Sequence, residues 1–213
     1  MRLKKVKNAL ERIKNSIYHV EELEKNKGNW KNIFENENPI HIEIGMGKGD
    51  FIIGMAKQNK DINYIGIEMY DSVLVKAIEK LKEEEELKNL KLLLLDASRI
   101  NEVFENEIRR IYLNFSDPWP KKKHSKRRLT SNVFLEKYEN IFKDNKNEIF
   151  QKTDNNDLFE FSMQSLIDNG YELQNVTRDL HSSGIKNNIM TEYEKKFWSN
   201  GVKINRLEAY KNK

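Results

Sequence analysis

Three acidic side chains lie where the apolar pattern predicts the ends of successive β-strands. Glu43 lies inside an alternating apolar segment, Glu68 closes the next one, and Asp96 follows a run of leucines. A carboxylate placed like Glu68 can accept both hydroxyls of a ribose, and one placed like Asp96 lies within reach of an adenine amino group. Burying Glu43 would be costly without a cationic partner such as an ammonium group. The bland alternative is three exposed carboxylates on a charged protein.

The glycine-rich sequence EIGMGKG, residues 43–49, follows the first predicted strand. Glycines at this turn let the backbone approach a ligand closely, which makes Gly45 and Gly47 candidate cofactor-binding residues. The dinucleotide pattern GxGxxG fails, because its sixth place, counted from Gly45, is Asp50. A pyrophosphate is therefore disfavoured, although a simple turn between buried elements would also explain the glycines. S-adenosylmethionine suits the three acids, since it has a ribose, an adenine and a cationic amino acid but no phosphate.

A stretch with two of the chain's three prolines, NFSDPWP at residues 114–120, presents a third kind of signal. Pro118 follows Asp117 and Pro120 follows Trp119, so the backbone around one carboxylate is restricted. We call residues 115–120 the Asp117 loop. Trp119 could stack on a base, but a tryptophan near a strand end is as often part of a core.

Residues 121–128, KKKHSKRR, follow at once and are called the basic segment. Six cations in eight residues can neutralise phosphates, although an isolated run of this kind is usually a solvated loop. This run begins just past a predicted strand end, on the edge where the cofactor would bind. The combination predicts a nucleic-acid substrate beside a methyl donor.

The elements that position these residues alternate between strand and helix. The pattern predicts strands at 40–44, 64–68, 90–95, 110–115, 147–152, 171–178 and 202–210, and helices at 51–56, 73–87, 131–142 and 157–168. Alternation of this kind predicts an α/β fold with a mainly parallel, doubly wound sheet and ligand sites at its carboxyl edge.

The composition excludes several kinds of site. There is no cysteine, and the four histidines show no ligand spacing, so we expect no disulfide and no metal. The net charge of +4 sums 38 basic and 34 acidic residues, and the basic ones crowd at 2–7 and 121–128. No apolar run suggests a signal peptide or membrane span. We expect a cytoplasmic protein without membrane association or an obligatory protein partner, either a monomer or a homodimer.

The sequence resembles the bacterial, single-chain tRNA (guanine-N7-)-methyltransferase family, which modifies guanine 46 in the tRNA variable loop. The resemblance spans nearly the whole chain and rests on HIEIGMGKGDF, NYIGIE, LLLLDAS, NFSDPWPKKKHSKRR, FQKTDNNDLFE and MTEYEKKF in this order. It implies a Rossmann-like class I S-adenosylmethionine-dependent methyltransferase fold, with a seven-stranded sheet and helices on both faces. The expected organisation is a basic arm and short helix over 1–36, packed on a single methyltransferase domain over 37–213.

The resemblance also implies roles for individual residues. Glu43, Glu68, Asp96 and Asp117 would contact the cofactor, with Asp117 also the catalytic acidic residue. The implied substrate contacts are Lys121, Asp154, Thr191, Glu192, Tyr193 and Glu194, and the implied tRNA contacts are Lys123, His124, Ser125, Lys126, Arg127 and Arg128. Read without the family, Asp154 would be a strand-end cap and residues 191–194 the exposed start of a helix.

Two departures from the family pattern are visible. Ser116 stands where members often carry proline, and the arm sequence NALERIKNS lacks the proline and tryptophan common there. The competing functions are a methyltransferase that acts on a protein or small molecule, and a non-catalytic RNA-binding module on a degenerate nucleotide fold. Cofactor binding distinguishes a methyltransferase from the RNA-binding module, and methylation of tRNA distinguishes a tRNA methyltransferase from one that acts on a protein or small molecule.

Overall fold

The computed structural model describes residues 5–212. The first part of the predicted basic arm, residues 1–4, lies outside the described residues, as does residue 213. Within the described range, seven strands form one sheet of order β3-β2-β1-β4-β5-β7-β6. The strands are β1 Ile40–Ile44, β2 Asn63–Glu68, β3 Leu90–Leu94, β4 Ile108–Asn114, β5 Lys146–Thr153, β6 Glu172–Thr177 and β7 Asn205–Asn212.

Strands β1 to β5 run parallel, and β7 is antiparallel to both of its neighbours, β5 and β6. The α-helices are α1 Ala9–Lys14, α2 Trp30–Phe34, α3 Asp50–Gln58, α4 Asp71–Leu81, α5 Ile100–Val103, α6 Asn132–Ile141, α7 Asn156–Asp168 and α8 Glu192–Ser199. The predicted mainly parallel α/β architecture is therefore confirmed.

Two apolar cores lie on opposite faces of the sheet because side chains alternate along each strand. In β1, Ile40, Ile42 and Ile44 pack into the core covered by α2, α5, α6 and α7. His41 of the same strand points to the other face, where its ring packs edge-on against Tyr64 at 5.7 Å. That second core is covered by α1, α3 and α4. Helices on both faces hold the parallel strands so that their carboxyl ends meet at one edge.

The predicted helix over 73–87 is too long at its carboxyl end. Helix α4 ends at Leu81, the last buried apolar residue of its inner face. The acidic run 83–86 that follows is exposed, and like charges one turn apart disfavour a helix. Leu87 is buried because the chain turns back toward β3, where its N–H donates to the hydroxyl of Tyr18 at 3.1 Å.

The amino-terminal residues that the structure describes pack on the rest of the chain. Ala9 and Ile13 of α1 are buried against α4, and Trp30 of α2 donates its indole N–H to the carbonyl of Val103 at 2.9 Å. The carbonyl of Tyr18 accepts from the N–H of Leu92, so the arm covers part of the free edge of β3. The division into an arm and a domain stays a prediction.

Among the described residues, no helix combines the length and apolarity that crossing a membrane requires. Over the same range, acidic and histidine side chains form no group of three or more that could hold a metal ion.

Candidate active site

The glycine-rich turn lies between β1 and α3 at the carboxyl edge of the sheet. Gly45 and Gly47 have φ of 78° and 58°, conformations that side chains rarely adopt. A Cβ added at either glycine would meet no atom within 4 Å. The N–H of Gly45 donates to the carbonyl of Ile67 at 2.9 Å, which fixes the turn beside β2. The turn therefore leaves open space against exposed backbone, as a bound ligand requires.

Glu68 joins the glycine-rich turn to the start of α4. One carboxylate oxygen accepts from the N–H of Gly47 at 3.1 Å and the other from the N–H of Tyr70 at 3.0 Å. The side chain is only 7% exposed, and burial raises its pKa. An ionised carboxylate has about four acceptor positions, so each oxygen retains capacity for a ligand hydroxyl. The alternative of an exposed carboxylate is wrong for Glu68.

Glu43 presents an unpaired acceptor from the interior of β1. Its side chain is 1% exposed, and Oε1 accepts from Nδ2 of Asn114 at 2.8 Å. Among residues 5–212 Oε2 has no hydrogen-bond partner, and burial raises the pKa of Glu43 to about 8 despite the hydrogen bond from Asn114 and the nearby charge of Lys152. A buried polar atom without a partner is unfavourable in a folded protein unless a ligand completes it. A cationic group fits this oxygen.

Asp96 differs from the other two acids in its exposure. It follows β3 and is exposed, in agreement with the alternative of a carboxylate on the protein surface. Oδ1 accepts from the N–H of Ser98 at 2.8 Å and so caps the short 3₁₀ helix Ala97–Arg99. The cap fixes the carboxylate at the carboxyl edge of the sheet, two strands from β1.

The Asp117 loop leaves β4 in a conformation that its neighbours must hold. Phe115 and Trp119 have φ of 52° and 42°, which for aromatic residues costs of order 1–3 kcal/mol each. The N–H of Phe115 donates to the carbonyl of Lys152 at 2.8 Å. Arg128 donates from Nε to the carbonyl of Pro118 at 3.0 Å and from Nη2 to that of Trp119 at 3.2 Å. Asp117 is exposed on this fixed backbone.

The basic segment forms a 3₁₀ helix over Lys122–Arg127, an element that the sequence did not predict. His124 packs edge-on against the ring of Trp119, and the guanidinium carbon of Arg127 lies 4.9 Å from the centroid of that ring. His124 and Ser125 are half-buried. The exposed lysines of the segment are Lys121, Lys122, Lys123 and Lys126. These four are free to meet a polyanion.

Residues 191–194 begin helix α8, and only part of the block is exposed. Thr191 caps the helix by accepting from the N–H of Glu194 at 2.9 Å, and both side chains are buried. Glu192 is exposed and pairs with Lys48 of the glycine-rich turn at 2.6 Å. The exposed ring of Tyr193 stacks on Phe197. The interpretation of the block as an exposed helix start holds for Glu192 and Tyr193 only.

A buried ion pair anchors this block to the sheet. Lys152 at the end of β5 donates to Oε2 of Glu194 at 2.6 Å and to the carbonyl of Ile189 at 2.8 Å. Glu194 is fully buried, and its other oxygen accepts from Asn188 and lies 3.2 Å from Nε2 of His181. Asp154, two residues after Lys152, is half-buried at the same edge.

Sequence reasoning did not single out Lys152, Asn114 or the inward position of Arg128. A signal for the first was present, because Lys152 is a charged residue inside a strand whose neighbours are buried. Asn114 ends β4 directly before the Asp117 loop, and its amide is the partner of Glu43. The ring of Phe197 stacks on Phe115 at 6.3 Å, so α8 and the Asp117 loop are in contact.

Comparison with known proteins identifies methyltransferases as similar to this chain. Residues 37–207 match a family described as a putative methyltransferase. A tRNA (guanine-N(7)-)-methyltransferase of Lachnoclostridium phytofermentans is 52% identical over the full length of both chains. The enzyme of that name from Bacillus subtilis is 55% identical over 86% of this chain and 85% of its own.

Solved structures share the fold at low identity. A structure described as an antibiotic related methyltransferase superposes with a TM-score of 0.65 at 18% identity, covering 87% of this chain and 94% of the other. The 16S rRNA methyltransferase KamB superposes with a TM-score of 0.64 at 12% identity, covering 86% and 92%. The fold is the Rossmann-like fold of class I methyltransferases. The full-length identity confirms the resemblance drawn from the motifs, and the chain belongs to the tRNA (guanine-N(7)-)-methyltransferase family.

Proposed function

We propose that this protein transfers the methyl group of S-adenosyl-L-methionine to N7 of guanine 46 in the variable loop of tRNA. The observation that carries the proposal is the meeting of two features at one edge of the sheet. The acids of β1 and β2 surround an open glycine-rich turn, and the Asp117 loop with its basic segment leaves β4, the other neighbour of β1. The names of the relatives support tRNA, a guanine and its N7 atom, and the choice of guanine 46 follows from the family resemblance of the motifs.

The cofactor fits the acids as follows. Oε2 of Glu43 pairs with the ammonium group of the methionine end, which removes the unsatisfied buried acceptor. Glu68 accepts the ribose hydroxyls while its present hydrogen bonds keep it in place. Asp96 accepts from the adenine amino group, and the backbone at Gly45 and Gly47 lies against the ligand. Asp117 lies at the reacting end of the cofactor.

The chemical step needs alignment more than proton transfer. S-adenosyl-L-methionine supplies an electrophilic methyl group, and guanine N7 already presents a lone pair at neutral pH. No strong general base is therefore required, and positioning can supply roughly 7–11 kcal/mol of the barrier. Asp117 accepts from donors of the guanine and favours the positive charge that develops on the purine. Its exposed position on a fixed loop suits this role.

The exposed lysines of the basic segment bind the phosphates of tRNA, and Lys121 is the one nearest in sequence to the Asp117 loop. Asp154, Glu192 and Tyr193 contact the substrate from the same edge of the sheet. Thr191 and Glu194 support that surface from within, because both side chains are buried. Guanine 46 leaves its tertiary contacts to expose N7, at a cost of a few kcal/mol that these contacts offset.

We further propose that the enzyme works in the cytoplasm as a monomer or homodimer, without a metal, a membrane or an obligatory protein partner. The proposed organisation is an arm over residues 1–36 and a single domain over residues 37–213, and the packing of α1 and α2 on the rest of the chain supports it.

Methyl transfer from labelled S-adenosyl-L-methionine to unmodified tRNA tests the proposal. One transcript carries guanine 46 and a matched transcript carries adenine there. We expect about one methyl group per guanine transcript, and background incorporation in the adenine transcript. Equal labelling of both transcripts would mean that another nucleotide is the target. Labelling of neither transcript, with cofactor binding intact, would indicate a protein or small-molecule substrate.

A further inference from the structure

The last residue of the basic segment, Arg128, is turned onto the Asp117 loop rather than toward solvent. Its guanidinium donates to the carbonyls of Pro118 and Trp119 at 3.0 and 3.2 Å. Its Cζ lies 4.3 Å from the ring centroid of Phe161 on α7, and the side chain is half-buried. Three contacts thus fix one planar group between the loop and a helix of the core.

Beyond Phe115, whose N–H is bonded to Lys152 and whose ring stacks on Phe197, the loop has few backbone donors with which to hold its own shape. Pro118 and Pro120 have no N–H, so the loop contributes few backbone donors of its own. Phe115 and Trp119 lie in the left-handed region, where a residue with a side chain stays only if its surroundings hold it. Two N–H groups of the Arg128 guanidinium bond the carbonyls of Pro118 and Trp119, the two residues that follow Asp117. A lysine could not bond both carbonyls with the same planar geometry.

The basic segment therefore contains cations with different surroundings. Lys126 is exposed, and its backbone carbonyl accepts from the hydroxyl of Ser131 at 3.0 Å. Arg128, two residues later, uses its guanidinium inside the protein. Counterions leave the nucleic acid when a protein cation neutralises a phosphate. An exposed lysine can do this, whereas a guanidinium that is bonded to backbone carbonyls of its own protein does not.

We propose that Arg128 is a positioning residue, which holds the backbone at residues 118–119 so that Asp117 is presented in one direction, and that it is not a phosphate contact. The proposal rests on the proposed methyl transfer to tRNA and replaces the expectation that Arg128 contacts tRNA. It divides the basic segment into lysines that bind the substrate and an arginine that shapes the loop beside the reacting atoms.

The test compares Arg128→Gln with the matched control Lys126→Gln, each checked for native circular dichroism and thermal midpoint. Arg128→Gln should lower the single-turnover rate at saturating tRNA and cofactor by at least about tenfold, because a misplacement of about 1 Å can cost that much. Its salt dependence of tRNA affinity should match that of the wild type. Lys126→Gln should lower the log–log salt slope of tRNA affinity by about 0.7–0.9, and at saturating tRNA its rate should fall clearly less than that of Arg128→Gln. Arg128→Lys should restore part of the rate, since one ammonium can bond one carbonyl.

A second readout does not depend on activity. The chain has three tryptophans, so protein labelled with 5-fluorotryptophan gives few fluorine resonances, and Trp119→Phe assigns one of them. The Trp119 resonance should shift or broaden in Arg128→Gln and stay unchanged in Lys126→Gln. A wild-type protein that methylates no tRNA would contradict the proposed function, while this spectrum would still report on the loop. An unperturbed Trp119 resonance in Arg128→Gln, or a reduced salt slope with an unchanged rate, would overturn the role proposed for Arg128.

Discussion

The proton on Glu43 gives the most specific prediction. One carboxylate oxygen of Glu43 accepts from Asn114, and the other has no hydrogen-bond partner in the described part of the chain. Burial raises the pKa of Glu43 to about 8, so the side chain is neutral at pH 7. An ammonium group beside the free oxygen favours the ionised carboxylate, so cofactor binding must release the proton.

The size of the effect follows from that pKa. At pH 6.5 Glu43 is about 97% protonated, and the α-amino group of the ligand, which lies beside an ionised carboxylate, is protonated as well. Binding should therefore release about one proton, and affinity should rise about tenfold per pH unit until about pH 8. Above that pH Glu43 is already ionised before the ligand binds, so affinity should level off.

Calorimetry in two buffers with different ionisation enthalpies counts the protons. S-adenosylhomocysteine is a suitable ligand, because it carries the same amino-acid end and is not consumed. The control Glu43→Gln keeps an oxygen for Asn114 but cannot ionise, so it should bind more weakly and release no proton. Equal proton release by wild type and variant would refute the role of Glu43, since the proton would then come from another group.

The stability of the ligand-free protein gives the same test without a ligand. Since the pKa of Glu43 is higher in the folded protein than in the unfolded chain, its favourable contribution is present below the unfolded pKa. That contribution is lost as pH rises through about 8. Glu43→Gln lacks this loss, so its thermal midpoint should rise relative to that of the wild type between about pH 5 and 8, and the difference should be constant above pH 8.

Three further substitutions separate chemistry, cofactor binding and structure. Asp117→Asn should lower the single-turnover rate by about 2–3 kcal/mol of transition-state stabilisation with the fold intact; a change within about threefold, under 1 kcal/mol, would make Asp117 structural. Glu68→Ala should weaken cofactor binding in calorimetry while tRNA affinity stays near normal, and unchanged cofactor affinity would argue against the ribose contact. Lys152→Met leaves the buried Glu194 without its ammonium partner and should lower the free energy of unfolding by about 3–5 kcal/mol in urea titration. Adding Glu194→Gln should recover part of that loss, and no recovery would contradict the pairing.

The parallel sheet could be predicted because its central strands are continuous or alternating apolar runs bounded by turns. The carboxylate of Glu43 was also predictable, since an acid in such a strand has no low-cost place without a partner. The end of α4 could not be predicted. Leu87 fits the helical period, but it is buried near Tyr18, in a different part of the chain. Periodicity along the sequence cannot report a contact that the chain makes after turning back.

The polar interior of the site was beyond the sequence alone. The cap Thr191 and the first residues of helix α8 read TEYEKKFW, a sequence with mostly polar side chains. Glu194 is the only fully buried carboxylate of this helix. Its partner Lys152 lies on β5, far away in sequence, so neither residue type predicts the pair. Arg128 belongs to a cationic run, and its inward direction depends on carbonyls that the Asp117 loop exposes only once folded.

The position of the methyl group on the product shows whether the protein methylates N7 of guanine 46. Unmodified tRNA is incubated with the wild-type protein and S-adenosyl-L-methionine, then treated with borohydride and aniline, which cleave the chain at N7-methylguanosine. We expect cleavage at nucleotide 46 and at no other new site, in proportion to the methyl groups incorporated. Methyl incorporation without cleavage at that nucleotide would contradict this expectation, because the methyl group would then lie on another atom or another base.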